Sequence, residues 1–91
     1  MKAKLQAKRK VAKDTWLFEF VLPQKVAYKA GQSFRLTLPG AGSHFFSIAN
    51  SPQSKLVTTV TRLSRSRFKH KLFSLRLGDS VDVSSIAGAF T

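Results

Sequence analysis

The chain contains no cysteine. Disulfide staples, iron–sulfur ligation and thiol catalysis are therefore excluded, and the absence fits a cytoplasmic setting. Acid is nearly as scarce. Asp14, Glu19, Asp79 and Asp82 are the only four, against sixteen Lys and Arg, for a formal net charge of +12. Four scattered carboxylates promise no acid–base pair, and His44 and His70 without a thiol make no metal site. No apolar run approaches the ~20 residues that a membrane span needs. The basic N-terminus is not followed by an apolar stretch, so it does not read as a secretory signal. With only three prolines and five glycines, each one is informative about where an element stops.

What is present suffices for one small domain. In a chain of 91 residues, 43% are hydrophobic, and eight Phe with Trp16 and Tyr28 supply the bulk of a core. The positive charge attracts phosphates of any kind, in nucleic acid, in a nucleotide cofactor or in anionic lipid. Charge alone does not choose among them, and a merely solvated basic surface is the plainer reading.

Residues 2 to 11 alternate with period two, which predicts a half-exposed strand. Lys2, Lys4, Gln6, Lys8 and Lys10 share one face, expected to meet water and to discourage edge-to-edge pairing. Asp14 is the natural former of the following turn. Thr15 to Leu22 reads as a second strand with Trp16, Phe18, Phe20 and Leu22 on its core face, ended by Pro23, which has no amide hydrogen. Gln24 to Ala30 reads as a loop and Gly31-Gln32 as a turn. A third strand is predicted over Ser33 to Leu38, with Phe34, Leu36 and Leu38 inward. Pro39 to Ser43 reads as a loop, and a short strand emerges from it at His44, running to an Asn50-Ser51-Pro52 turn. Lys55 to Arg62, rich in Val and Thr, reads as a fifth strand. From Ser66, a plausible N-cap, the period becomes helical through Phe68, Leu72, Leu75 and Leu77, with Gly78-Asp79 as the stop. Ser80 to Ser84 is a last strand. The expectation is a mainly β fold, a six-stranded antiparallel Greek-key barrel with one short helix.

Four stretches occur in a telling order: Gly31-Gln32-Ser33-Phe34-Arg35-Leu36, then His44-Phe45-Phe46-Ser47-Ile48-Ala49-Asn50-Ser51-Pro52, then Ser66-Arg67-Phe68-Lys69, then Leu77-Gly78-Asp79-Ser80-Val81. Together they resemble the FAD-binding β-barrel domain of the ferredoxin–NADP reductase superfamily over nearly the whole chain. The resemblance implies a domain that binds FAD, or in some members FMN. It also implies that NADH or NADPH is held by a separate pyridine-nucleotide-binding domain. Phe46 and Ser47 match the last two positions of the family's Arg-x-Tyr/Phe-Ser/Thr motif. By resemblance Phe46 packs against the isoalloxazine ring, and the Ser47 hydroxyl lies near its reactive nitrogen as the candidate catalytic group. His44 stands where the family has its phosphate-binding Arg. An imidazole has at most two donors against the fork of a guanidinium, so weaker and more pH-sensitive flavin binding is implied. Thr61, Arg62, Phe68 and Lys69 complete the expected cofactor set. Lys69 occupies a position often held by Ser or Thr.

Without the resemblance, each residue has a plainer role. Phe46 serves as a core aromatic, Ser47 as a strand hydroxyl, His44 as a loop residue, and Arg62 to Lys71 as a solvated basic run. That run nevertheless begins a helix, where cations oppose the dipole, and this favours a bound anion. The family's closing Gly-Pro-x-Gly-x-Phe stretch has its counterpart in Ser85-Ile86-Ala87-Gly88-Ala89-Phe90, which keeps Gly88 and Phe90 only. No glycine-rich nucleotide loop occurs. The expected catalyst is therefore incomplete alone and works with a nucleotide domain or partner protein, with self-association around Phe90 also open. Two other functions stay in view. One is a basic barrel binding single-stranded nucleic acid through Phe45 or Phe46 with Arg35, Arg62 and Lys69. The other is a structural domain without a cofactor.

Overall fold

A computed structural model describes residues 1–26, 32–49 and 54–84. Its elements are β1 (Lys2–Ala12), β2 (Thr15–Val26), β3 (Ser33–Leu38), β4 (Gly42–Ser47), β5 (Ser54–Arg62), α1 (Arg67–Ser74) and β6 (Ser80–Ser84). The six strands form one sheet in the order β4-β3-β6-β1-β2-β5, and each neighbouring pair is antiparallel. β6 returns from beyond the helix to insert between β3 and β1, the returning step of a Greek key. The mainly β class and, among the described residues, the six strands and the single helix are as the sequence predicts. The sheet itself stays open. Its β4 and β5 edges carry no common ladder among the described residues, but the sheet curls until Ala49 N donates to Thr58 O at 2.7 Å.

The core lies inside that curl. Phe18, Phe20, Phe34, Leu36, Val57, Leu72 and Val83 are wholly buried, and β3 keeps both its expected bounds and its inward face. α1 sits across one end of the curl. Phe68 and Leu72 are buried, and Phe73 meets Trp16 and Phe18 edge-on at 5.8 and 5.2 Å between centroids. Each such contact adds about 0.5–1.5 kcal/mol beyond area burial. Phe73 carries no sequence signal beyond its place beside Leu72.

Four expectations need correction. First, the lysines of β1 do not share a face. Leu5 pairs with Phe20 but Ala7 pairs with Glu19, so Gln6 is an extra residue in a bulge. Beyond it Lys8 lies opposite the buried Phe18, on the core side. Its ammonium donates to Phe73 O and Leu75 O, both at 2.9 Å, satisfying carbonyls that the helix end leaves without partners. Second, Pro23 does not end β2. The strand continues to Val26, and the proline falls in the break of the β5 ladder between Val21 and Val26, where no amide is needed. Third, β4 begins at Gly42 rather than His44, after a turn in which Ala41 N donates to Leu38 O at 3.1 Å. Fourth, α1 stops at Ser74 with Leu75 extended. Gly78, at φ +95°, instead shapes the turn into β6. There Asp79 N donates to Arg76 O and Asp79 Oδ2 accepts from Arg76 N. Leu77 is consequently exposed rather than on a helical face.

Asp14 takes the left-handed conformation at φ 52° expected of the turn former between β1 and β2. The expected turns at Gly31 and at Asn50-Ser51-Pro52, most of the loop before residue 31 and the 85–90 stretch lie outside the described residues. Among the described residues no helix is long and apolar enough to cross a membrane.

Candidate functional site

Strand alternation in β4 sorts its side chains. His44, Phe46 and Leu36, Phe34 are cross-strand partners, and because the latter two are buried, His44 and Phe46 lie on the sheet face that meets α1, where His44 is nonetheless exposed. Phe45 points the other way and is 63% exposed. The Phe68 ring of α1 receives the His44 and Phe46 rings. His44 lies 4.3 Å from it, tilted by 49°, and Phe46 stacks on it at 5.7 Å and 30°. Phe34 backs Phe46 at 6.1 Å. Phe46 is only half-buried, so its ring forms the open margin of an aromatic cluster rooted in the core. Phe68 is 2% exposed and belongs to the core itself.

The start of α1 supplies the second half of the site. Ser66, in extended backbone, caps the helix by accepting from Lys69 N at 3.1 Å. The amides of Arg67 and Phe68 are left without intrahelical acceptors. No acid occupies the first turn, where one would ordinarily stabilise the dipole. The Lys69 ammonium turns back to the end of β5, donating to Thr61 Oγ1 at 2.6 Å and to Arg62 O at 2.8 Å. Burial there holds its pKa below the usual lysine value. Unpaired amides, a half-buried cation and the absence of acid make this end of the helix receptive to an anion.

The structure thus gathers six of the seven predicted residues into two groups. His44, Phe46 and Phe68 form the ring cluster, and Thr61 and Lys69 the polar one, which Arg62 joins through its backbone carbonyl, its side chain alternating to the other face of β5 with Val60. Phe68 and Lys69, adjacent in α1, join them. Ser47 belongs to neither group; it stands exposed at the end of β4 opposite Ser33. Sequence reading missed Lys8, which the bulge conceals. Among the described residues no cluster of His, Asp and Glu could hold a metal.

No family model matches the chain, and no curated protein matches it by sequence. Solved structures do. A chain from the structure of the NADH-dependent reduced ferredoxin–NADP oxidoreductase, described for flavin-based electron bifurcation, superposes with a TM-score of 0.79 at 22% identity. The match covers 98% of this chain and 35% of that one. Phthalate dioxygenase reductase, described as modular for electron transfer from pyridine nucleotides to [2Fe-2S], gives 0.78 at 23% identity over 92% of this chain and 28% of its own. The cytochrome b5 reductase domain of Ulva prolifera nitrate reductase gives 0.77 at 18% identity over 96% and 40%. The chain therefore spans only 28–40% of the length of these solved chains. The likeness is one of fold: this chain has the fold of one part of each of these three reductase chains.

Proposed function

We propose that the chain is the flavin-binding module of an NAD(P)H-dependent oxidoreductase, taking FAD in preference to FMN. The observation that carries the reading is the joining of an open-edged aromatic cluster to an acid-free helix start through the consecutive residues Phe68 and Lys69. A flavin nucleotide presents the same two features, a flat ring and a phosphate end. The residues present fit both: Phe46 offers ring area, and the Arg67 and Phe68 amides with Lys69 offer donors and charge.

In this reading Phe46 bears on the isoalloxazine, and the Ser47 hydroxyl lies beside the ring as a donor or acceptor. The phosphates are held chiefly by the helix start and Lys69. His44, whose ring rests on Phe68, orients the cluster and adds at most one bond to phosphate. Thr61 acts through Lys69, fixing its ammonium. When bound, the flavin accepts a hydride from reduced nicotinamide and passes electrons onward. The nicotinamide is held by a pyridine-nucleotide-binding domain, in the same polypeptide or in a partner, and the protein works in the cytoplasm.

Titration with FAD and with FMN, followed by flavin fluorescence and by melting temperature, tests the reading. Saturable binding that weakens roughly tenfold or more in Phe46→Ala and in Lys69→Met is expected. Absence of any response to either flavin refutes it.

A further inference from the structure

A second surface lies away from the aromatic cluster, where the β1–β2 hairpin turn meets the end of β5. Three of the five large hydrophobic side chains exposed among the described residues collect there: Val11, Val60 and Leu63, at 46%, 45% and 50%. The register places Val60 beside the hairpin, Val11 is the extra residue of a second bulge in β1 between Lys10 and Ala12, and a backbone bond ties Leu63 to the hairpin turn. Arg9, Leu17 and Val60 are neighbours across three strands. Ala12, Thr15 and Arg62 form the next row on that face, and Leu63 N donates to Asp14 O at 2.7 Å. At strand spacing the patch is roughly 10 Å across.

Cations rim it: Arg9 and Lys13 from the hairpin, Arg62 and Arg65 from the chain leaving β5. The other acids are engaged elsewhere. Glu19 accepts from Gln6 and Thr58, Asp79 from Arg76 N, and Asp82 pairs with Lys2 at 3.8 Å. Asp14 alone remains to offset four cations.

We propose that this end of the molecule docks on an anionic phospholipid surface, with Val11 and Leu63 entering the interface and the surrounding cations on the headgroups. Aliphatic side chains ringed by Lys and Arg suit a lipid interface, where burial and attraction to anionic headgroups act together. They suit single-stranded nucleic acid poorly, since bases stack on aromatic rings, and the patch has none exposed. The inference does not rest on flavin binding.

The test is sedimentation of the whole chain with vesicles of phosphatidylcholine mixed with phosphatidylglycerol, against phosphatidylcholine alone. Binding to the mixed vesicles only is expected. It should fall at least about tenfold both in Arg9→Glu/Lys13→Glu and in Leu63→Asp. Lys4→Glu makes half that charge change toward the other end of β1, roughly 17 Å from Arg9 and farther from Lys13 at strand spacing, and should leave binding within about twofold. Melting temperatures close to that of the parent show that the variants fold; should Leu63→Asp not fold, Val11→Asp takes its place. Equal binding to neutral vesicles, no binding at all, or equal loss in Lys4→Glu overturns the proposal. So does an aspartate variant that binds normally, because the apolar contribution is then absent.

Discussion

Replacing Lys8 with Met would keep most of the side chain's apolar stem and remove its ammonium. The two carbonyls that this ammonium serves, Phe73 O and Leu75 O, lie at the end of α1, each 2.9 Å away. A hydrogen bond to a charged group contributes about 1.5–3 kcal/mol net when well shielded, and a cation at a helix C-terminus adds about 0.3–1 kcal/mol. Lys8 is half-buried and water can partly replace it, so the expected loss is about 2 kcal/mol rather than the full sum. For a domain of this size that corresponds to a fall of roughly 8–16 °C in melting temperature. Thermal and urea unfolding followed by circular dichroism measure it, with Lys10→Met as the exposed control, expected within about 0.5 kcal/mol of the parent. Amide exchange should quicken first in the last turn of α1. A Lys8→Met protein melting within about 2 °C of the parent would refute the idea that this lysine holds the helix to the sheet.

Ser66→Ala removes the cap on Lys69 N and should cost about 1 kcal/mol in urea unfolding, while Ser66→Asp restores most of it. Gly78→Ala meets no neighbour within 4 Å but must hold φ +95°, so a loss of about 1–2 kcal/mol from backbone strain alone is expected. Because burial lowers Lys69 from its ordinary 10.5, between the lowered value and 10.5 the unfolded chain holds a proton that the folded chain has released. Its contribution to stability therefore rises with pH across that window. The difference in urea midpoint between the parent and Lys69→Met should grow in the parent's favour there, and a difference independent of pH would refute the assignment.

Much of the fold was legible because its punctuation is sparse and well placed. β3 and β6 have their predicted ends. Phe18, Phe20 and Leu22 fill the core as their alternation requires. The failures have local causes. Pro23 reads as a terminator only if the ladder needs its amide, and the break after Val21 removes that need. Gly78 reads as a helix stop, but the chain leaves the helix at Leu75 and spends the glycine on a later turn. In the candidate site, the family resemblance singles out His44, Phe46 and Phe68 one by one, but not that their rings meet one another. The bond from Lys69 back to Thr61 is not legible either, because nothing in a linear sequence says that a lysine in a first helical turn folds back onto the preceding strand.

The extra residue at Gln6 has a consequence for how β1 tolerates change in length. Removing a residue from a strand ordinarily inverts every side chain beyond the cut. Here Leu5 and Lys8 face the core with two residues, Gln6 and Ala7, between them. Excising Gln6 would leave strict alternation and change no facing, at the cost of its bond to Glu19 and some local twist. Gln6 is thus a position where natural relatives could differ by one residue without disturbing the lysine that holds the helix. In a set of related sequences the gap would fall inside this strand rather than in the hairpin turn, against the usual expectation that length varies in loops.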